Sequence, residues 1–235
     1  MENNPIVSRE EWLIARKKHL TKEKEFTRLR DQLSRQRREL PWVKVDKDYI
    51  FDGPNGKETL SALFEGRRQL LVYHFMFDAD WNEGCPMCSY LADNYSGAIV
   101  HLAQRDVTMV TVSRAPLNKL EAFKQRMGWR FKWVSSIGND FNRDFHVSFT
   151  PEEKEKGEVY YNYGTHSYFE SEGPGISVFY KDENENIFHT YSSYARGLDL
   201  LIGSYNLLDL VPKGHDEGEL PWPMMWIRNH DKYDD

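Results

Sequence analysis

The sequence predicts an α/β domain: a mixed central sheet flanked by helices, three layers in all, with a long helix ahead of it and an aromatic tail behind. Three observations lead there. Strand-like and helix-like segments alternate through the middle of the chain, which implies parallel strands joined by crossovers. Leu70 to Phe77 is an apolar run containing only one polar residue, His74, as expected of a central strand covered on both faces. Two later runs, Ile176–Tyr180 and Ile187–Tyr191, flank the polar turn Lys181–Asn186 and read as a hairpin.

Residues 1–40 read as a helical arm. Ser8-Arg9-Glu10-Glu11 has the form of a capping box. Trp12, Leu13, Leu20, Phe26, Leu29 and Leu33 follow near helical period, with neither Gly nor Pro before Pro41. One helix is expected, with a break possible near Thr21, and its apolar stripe is too thin to be stable alone. The domain is expected over 41–212. Tyr49–Phe51 is a short strand before the turn Asp52–Gly56, and Thr59–Phe64 a brief helix closed by Gly66. After the Leu70–Phe77 strand and a polar loop comes Cys85-Pro86-Met87-Cys88, then a helix to about Ala103. Asp106–Ser113 is a second strand, Leu117–Met127 a helix opened by Pro116 and stopped by Gly128, and Phe131–Ser135 a third strand. Residues 151–172, with Pro151, Gly157, Gly164 and several tyrosines, read as an irregular insertion. A last helix is expected from Leu198 to Leu210. The tail, 213–235, carries Pro221-Trp222-Pro223-Met224-Met225-Trp226 and is expected to pack on the domain. The βαβ…ββα succession, with a CxxC just after the first central strand, is the thioredoxin arrangement.

Composition narrows the function. The 235 residues are 40% hydrophobic and 29% charged, with 14% aromatic residues and a net charge of −6. That charge argues against a general nucleic-acid binder, and no stretch approaches the ~18 apolar residues of a membrane span. The charge is uneven. Residues 9–39 hold 11 Lys/Arg against 6 Asp/Glu, so the arm is basic and the rest acidic. The arm could dock on an acidic partner, but interleaved signs favour a solvated face that packs on its own domain or on a second subunit, a homodimer contact. Met1-Glu2-Asn3-Asn4-Pro5 lacks the basic and apolar regions of a secretory signal, so a cytoplasmic, reducing compartment is expected. Two cysteines three apart in such a compartment point to catalysis or metal binding rather than a structural staple.

Several runs resemble the DUF899 family: Gly66 to Phe77, Gly84 to Ser89, Val112 to Leu117, Arg126 to Trp129, Asp140 to Phe145 and Tyr194 to Asp199. The likeness covers nearly the whole chain. It implies a thioredoxin-like fold and the activity predicted for that family, dithiol–disulfide oxidoreduction.

At a helix N-cap, Cys85 would meet unpaired N–H groups and the positive end of the dipole, which lower thiol pKa values to roughly 3.5–7.5 in such motifs. Pro86 would occupy the first helical position, where its missing N–H costs nothing. Cys85 is therefore expected to attack a protein or small-molecule disulfide, and Cys88, one turn on, to resolve the mixed disulfide. Pro86 and Met87, between them, are expected at the substrate surface. Thioredoxin-like proteins place a cis-proline opposite the motif, and Pro174 in Glu172-Gly173-Pro174-Gly175 holds the matching position, where a trans loop proline is equally compatible. If cis, the backbone beside it would hydrogen-bond an extended substrate. Trp81 lies four residues before Cys85 rather than immediately before it, and either lines the site or fills the core. His74 either tunes the thiol or is a hydrogen-bonded core residue, the commoner case. Asp78, Asp80 and Glu83 would raise the thiol pKa and oppose the dipole. Tyr160, Tyr161, Tyr163 and Tyr168 either frame a groove or cover the sheet edge.

No cofactor is expected. Zinc would need four ligands; no second CxxC or H-x₃₋₅-H completes a set, and His101 lies too far along the helix. His215-Asp216-Glu217 and His230-Asp231 read as a solvated tail. A thiol peroxidase is one alternative, but peroxiredoxins carry P-x-x-x-T-x-x-C, and here Asp78 and Asn82 stand at the Pro and Thr positions. The others are a non-catalytic binding module on the same fold and two inert buried cysteines.

Overall fold

The computed structural model describes residues 4–234. Met1–Asn3, part of the segment read above as lacking a signal, and Asp235 lie outside the described residues. The chain divides into two compact units, Met1–Pro41 and Trp42–Asp235.

The first unit is one uninterrupted helix, α1 (Arg9–Arg38). Ser8 Oγ accepts from the Glu11 N–H at 3.2 Å while Glu11 accepts from the Ser8 N–H at 3.0 Å, so the capping box is closed. No break forms near Thr21. Its hydroxyl donates to the Lys17 carbonyl at 3.4 Å, and Thr27 does the same to Glu23 at 3.0 Å, so both fold into the helix instead of interrupting it. No residue of α1 is buried, Trp12, Phe26, Leu29 and Leu33 included.

The second unit holds a sheet of eight strands. In chain order its elements are β1 (Val43–Lys44), β2 (Ile50–Gly53), β3 (Gly56–Thr59), β4 (Gln69–His74), α2 (Pro86–Tyr95), α3 (Ile99–Ala103), β5 (Val107–Ser113), α4 (Leu117–Arg126), β6 (Lys132–Ser135), α5 (Phe141–Asp144), α6 (Pro151–Lys156), β7 (Glu158–Tyr161), β8 (Gly164–Ser167), β9 (Gly175–Lys181), β10 (Ile187–Tyr194) and α7 (Gly203–Leu208). The sheet order is β1-β10-β9-β4-β5-β6-β2-β3, with β7 and β8 forming a separate hairpin. Strands β4, β5 and β6 are parallel; β9 runs antiparallel to β4, and β10 antiparallel to β9. The four strands β10-β9-β4-β5, with α2 in the crossover, make this a thioredoxin-like fold. The protein is of that class, with the long N-terminal helix as an addition.

Several elements differ from expectation. The helix after Cys88 is two, since the chain turns at Ser96–Ala98, around Gly97. The brief helix at Thr59–Phe64 shrinks to one 3₁₀ turn, Ala62–Phe64, because Thr59 pairs with Ile50 in the sheet. The stretch 151–172 is not irregular. Pro151 and Gly157, which suggest loop, instead start and stop α6: Thr150 and Glu153 close a capping box, Pro151 takes the first turn, and Gly157 sits at φ 70°. The following hairpin buries Val159 and Tyr161 on one side by simple alternation. The last helix is also divided, into a 3₁₀ segment Ala195–Leu201 and α7, where Ile202 leaves helical geometry to bury its side chain.

Alternation along β4 separates two cores. Leu70 and Val72 face Phe51, Leu63, Phe64, Phe141 and Phe179 on one side of the sheet. Tyr73 on the other faces the α2 and α4 layer, where Cys85, Cys88, Leu91, Phe123 and Trp133 are buried. From the tail, Met224 and Trp226 pack partly buried on this second core.

Candidate active site

Cys85 is the N-cap of α2 and Pro86 its first residue. The loop delivering it is pinned, because the Cys85 N–H donates to the Met76 carbonyl at 3.1 Å and the Cys85 carbonyl accepts from the Ser89 N–H at 2.9 Å. Gly84 is required by space. A Cβ there would stand 2.7 Å from Phe75 Cε1 and 2.9 Å from Phe123 Cε1.

Both cysteines are free thiols, 7% and 1% exposed, and approach each other to 3.8 Å. The Cys85 thiol is held below its ordinary pKa, first by a hydrogen bond from Cys88 and then by the backbone N–H groups of Cys88 and Met87, against the opposing effect of burial. Burial pushes Cys88 well up, and a thiolate at Cys85 adds to it. One sulfur therefore ionises more readily and the other holds its proton. The Met76 N–H donates to Cys88 Sγ at 3.5 Å, and the Tyr73 hydroxyl also interacts with that sulfur.

His74 is a hydrogen-bonded core residue, the commoner of the two readings, and does not reach the thiols. Strand alternation turns His74 to the opposite core, where its ring stacks on Phe141 and Phe145 and Nε2 lies 2.9 Å from Ser177 Oγ. Burial lowers its pKa to about 3. Tyr73, one residue earlier, takes the face beside the thiols. The signal for it is the same period of two that identifies the strand.

Above the thiols lies a cavity of about 660 Å³. Cys85, Cys88, Met87 and Pro174 all line it; Pro86 and Trp81 do not. Trp81 is half-buried against the α2–α4 core, with its carbonyl accepting from Lys119 Nζ at 3.2 Å. Of the four tyrosines, Tyr161 and Tyr168 reach the cavity. No peptide bond among the described residues is cis, so Pro174 is trans. The backbone around it is also already engaged: Tyr161 donates to the Pro174 carbonyl at 2.6 Å, Tyr168 to the Glu172 carbonyl at 3.1 Å, and the Gly173 N–H donates to Val147 at 2.9 Å.

Of the three acids in the loop, Glu83 is engaged elsewhere. Glu83 is paired with Arg126 at 3.0 Å and Lys232 at 2.7 Å, and the carboxylate whose charge opposes the Cys85 thiolate is Glu170, on the cavity wall. Sequence reasoning also passes over Glu172. This carboxylate is buried, accepts from Ser148 at 2.8 Å and pairs with Arg114 at 3.1 Å, and burial raises its pKa to about 7. Its signal is an acidic residue beside the Gly-Pro-Gly turn, which nothing in one sequence separates from a surface loop. The tail histidines serve structure: His215 stacks on Tyr205 at 3.9 Å, and His230 Nδ1 lies 2.8 Å from Asp93. Among the described residues no group of three His, Cys, Asp or Glu could hold a metal ion, and no helix is long and apolar enough to cross a membrane.

A family model described as a bacterial protein of unknown function, DUF899, matches residues 1–233. The chain belongs to the DUF899 family. No curated protein matches it. Solved structures of similar fold include the peroxidoxin BcpB of Mycobacterium tuberculosis, at 13% identity and TM-score 0.47, covering 70% of this chain and 95% of the other. The bacterioferritin comigratory protein of Xanthomonas campestris matches at 14% and 0.43, covering 68% and 90%. A PrxQ mutant of Xylella fastidiosa matches at 11% and 0.44, covering 71% and 94%. These likenesses are distant.

Proposed function

We propose that this protein is a dithiol–disulfide oxidoreductase in which Cys85 is the nucleophile and Cys88 the resolving thiol. The observation that carries the reading is the opposite displacement of two adjacent thiols. Cys85, at the helix start, has a lowered pKa, while Cys88, one turn deeper, has a raised one. The Cys85 thiolate attacks one sulfur of a substrate disulfide, the other sulfur leaves as a thiolate, and Cys88 then displaces the bound half by attacking Cys85 Sγ. Net, one substrate disulfide becomes two thiols and the protein dithiol becomes a disulfide.

The test is trapping. Cys88→Ser, given a disulfide substrate, should accumulate a mixed disulfide through Cys85, seen as a mass adduct removed by reductant. An absence of adduct at Cys85 would sink the reading. The wild-type pair should also titrate as a two-electron couple between roughly −270 and −120 mV, the span of known exchange proteins. Rapid peroxide consumption with little disulfide turnover would instead mark a thiol peroxidase.

A further inference from the structure

Core residues Tyr73, Met76 and Leu91 line the cavity beside the thiols, and three peripheral segments complete its walls. The first runs from the β7–β8 hairpin to its C-terminal side and contributes Tyr161, Tyr168 and Phe169. The second is the 3₁₀ segment carrying Leu198, and the third is the tail at Trp222–Met224. Between them Cys85 is only 7% exposed, although its N-cap position would otherwise leave it at the surface. The volume, about 660 Å³, is that of a small-molecule site. The rim carries apolar surface toward solvent, with Phe169 81% and Trp222 55% exposed.

Charge is sparse. The charged side chains in the lining are Glu170, Arg196 and Asp199, and Arg196 Nε donates to Asp199 at 2.9 Å, leaving Glu170 as the one carboxylate without a cationic partner in the wall. An anionic disulfide would therefore meet repulsion and an apolar wall with little to pair its carboxylates. A cystine on a folded protein would have to bring its sulfur past Phe169 and Trp222 with its own backbone attached, whereas a slender molecule enters without one.

We infer that the Cys85 cavity takes a small, uncharged organic disulfide bearing a ring or branched apolar group, held between the hairpin wall and the Trp222–Met224 tail, and that it excludes disulfides of folded proteins. The inference rests on the dithiol reading and names its substrate class. In the step, Cys85 Sγ bonds to one sulfur of R–S–S–R, the S–S bond breaks, and RS⁻ leaves and takes a proton from water. Cys88 then gives its thiol proton to the hydroxide so formed, attacks Cys85 Sγ to make the Cys85–Cys88 disulfide and releases the second RS⁻.

The test compares dibenzyl disulfide with bis(2-hydroxyethyl) disulfide, whose leaving thiols are of similar basicity. Each rate is divided by that of N-acetylcysteine with the same compound. The reduced full-length protein should prefer dibenzyl disulfide by about tenfold or more, the gain expected from burying one ring. Insulin, as a folded-protein disulfide, should be reduced no faster than by the small thiol. Phe169→Ala and Trp222→Ala, at exposed positions that the fold tolerates, should each cut the preference several-fold. Equal normalised rates for the two disulfides, or ready insulin reduction, would overturn the inference and leave the dithiol reading standing. The unreactive dibenzyl sulfide separates the two ideas. Its binding to Cys85→Ser, followed by saturation-transfer NMR and lost in Trp222→Ala, supports the cavity assignment whether or not exchange occurs. No binding overturns the assignment even if Cys85 exchanges with other disulfides.

Discussion

Two helix starts in this protein meet the same physical problem and resolve it differently. At α1 the exposed N-terminal N–H groups are met by Ser8 and Glu11, a hydroxyl and a carboxylate three residues apart. At α2 the cap is Cys85, with no side-chain hydrogen bond closing the turn. A helix start favours an anion in either case. At α1 the anion is permanent, and the result is a stable end. At α2 the anion is a thiolate that exists only when the sulfur loses its proton, so the same field favours ionisation. The surroundings differ to match: every residue of α1 reaches solvent, while Cys88, Ser89, Leu91, Ala92 and Tyr95 of α2 are buried. The first helix start is closed by its own two side chains, and the second lies among side chains that pack on it.

The largest effect should come from making the second start like the first. Cys85→Ser should abolish disulfide exchange. It should leave denaturant unfolding unchanged or raise stability by up to about 1 kcal/mol, since serine is a good N-cap. A fold lost on this substitution would mean that the sulfur is structural, and the contrast would fail.

Next is the approach to the cap. Gly84→Ala should cost about 1–3 kcal/mol, because its Cβ runs into Phe75 and Phe123. Gly97→Ala, with nothing within 4 Å, should be neutral or slightly stabilising. Equal thermal midpoints for the two variants would remove the close approach as the reason Cys85 sits where it does.

A third experiment asks how much of the Cys85 shift belongs to the helix. Its first cause is the Cys88 hydrogen bond, so Cys88→Ala should move the alkylation midpoint of Cys85 upward. The Met87 and residue-88 N–H groups remain to lower it and burial remains to raise it. The linked stability has a definite sign. With the folded pKa depressed, Cys85 stabilises the native state above its unfolded pKa, and this contribution fades as pH falls through the folded value. Cys88→Ala should narrow that window, as read from iodoacetamide rates and urea midpoints across pH. A midpoint unmoved by the variant would assign the whole shift to the helix.

The smallest effect belongs to the first start. Ser8→Ala should cost about 0.5–1 kcal/mol of local stability, seen as faster amide exchange in the first turn of α1 and no change in Cys85 reactivity.

Both helix starts are legible in the chain, because a capping box and a CPxC after an apolar strand are local patterns. So are β4, β5 and the β9–β10 hairpin, where residue type and period agree. The stretch 151–172 is not, because Pro151 and Gly157 mark either a loop or the two ends of a short helix, and only the closed Thr150–Glu153 box decides between them. The helix expected at 198–210 divides because Ile202 gains more by burial in the α2 core than by continuing the helical ladder. The core role of His74 is legible too, while the place of Tyr73 beside the thiols follows from strand alternation only once the face carrying α2 is known.

The class of the domain, the position of the dithiol at a helix start and the order of its two cysteines are all set by residue order alone. They follow from short-range rules of period, cap and turn. Tertiary structure decided the environment of the sulfurs: the depth of Cys88, the trans Pro174 with its carbonyl taken by Tyr161, and the apolar chamber closed by a hairpin and a tail. Segments far apart in the chain, from Cys85 to Trp222, meet there, and burial and charge at one sulfur depend on all of them at once.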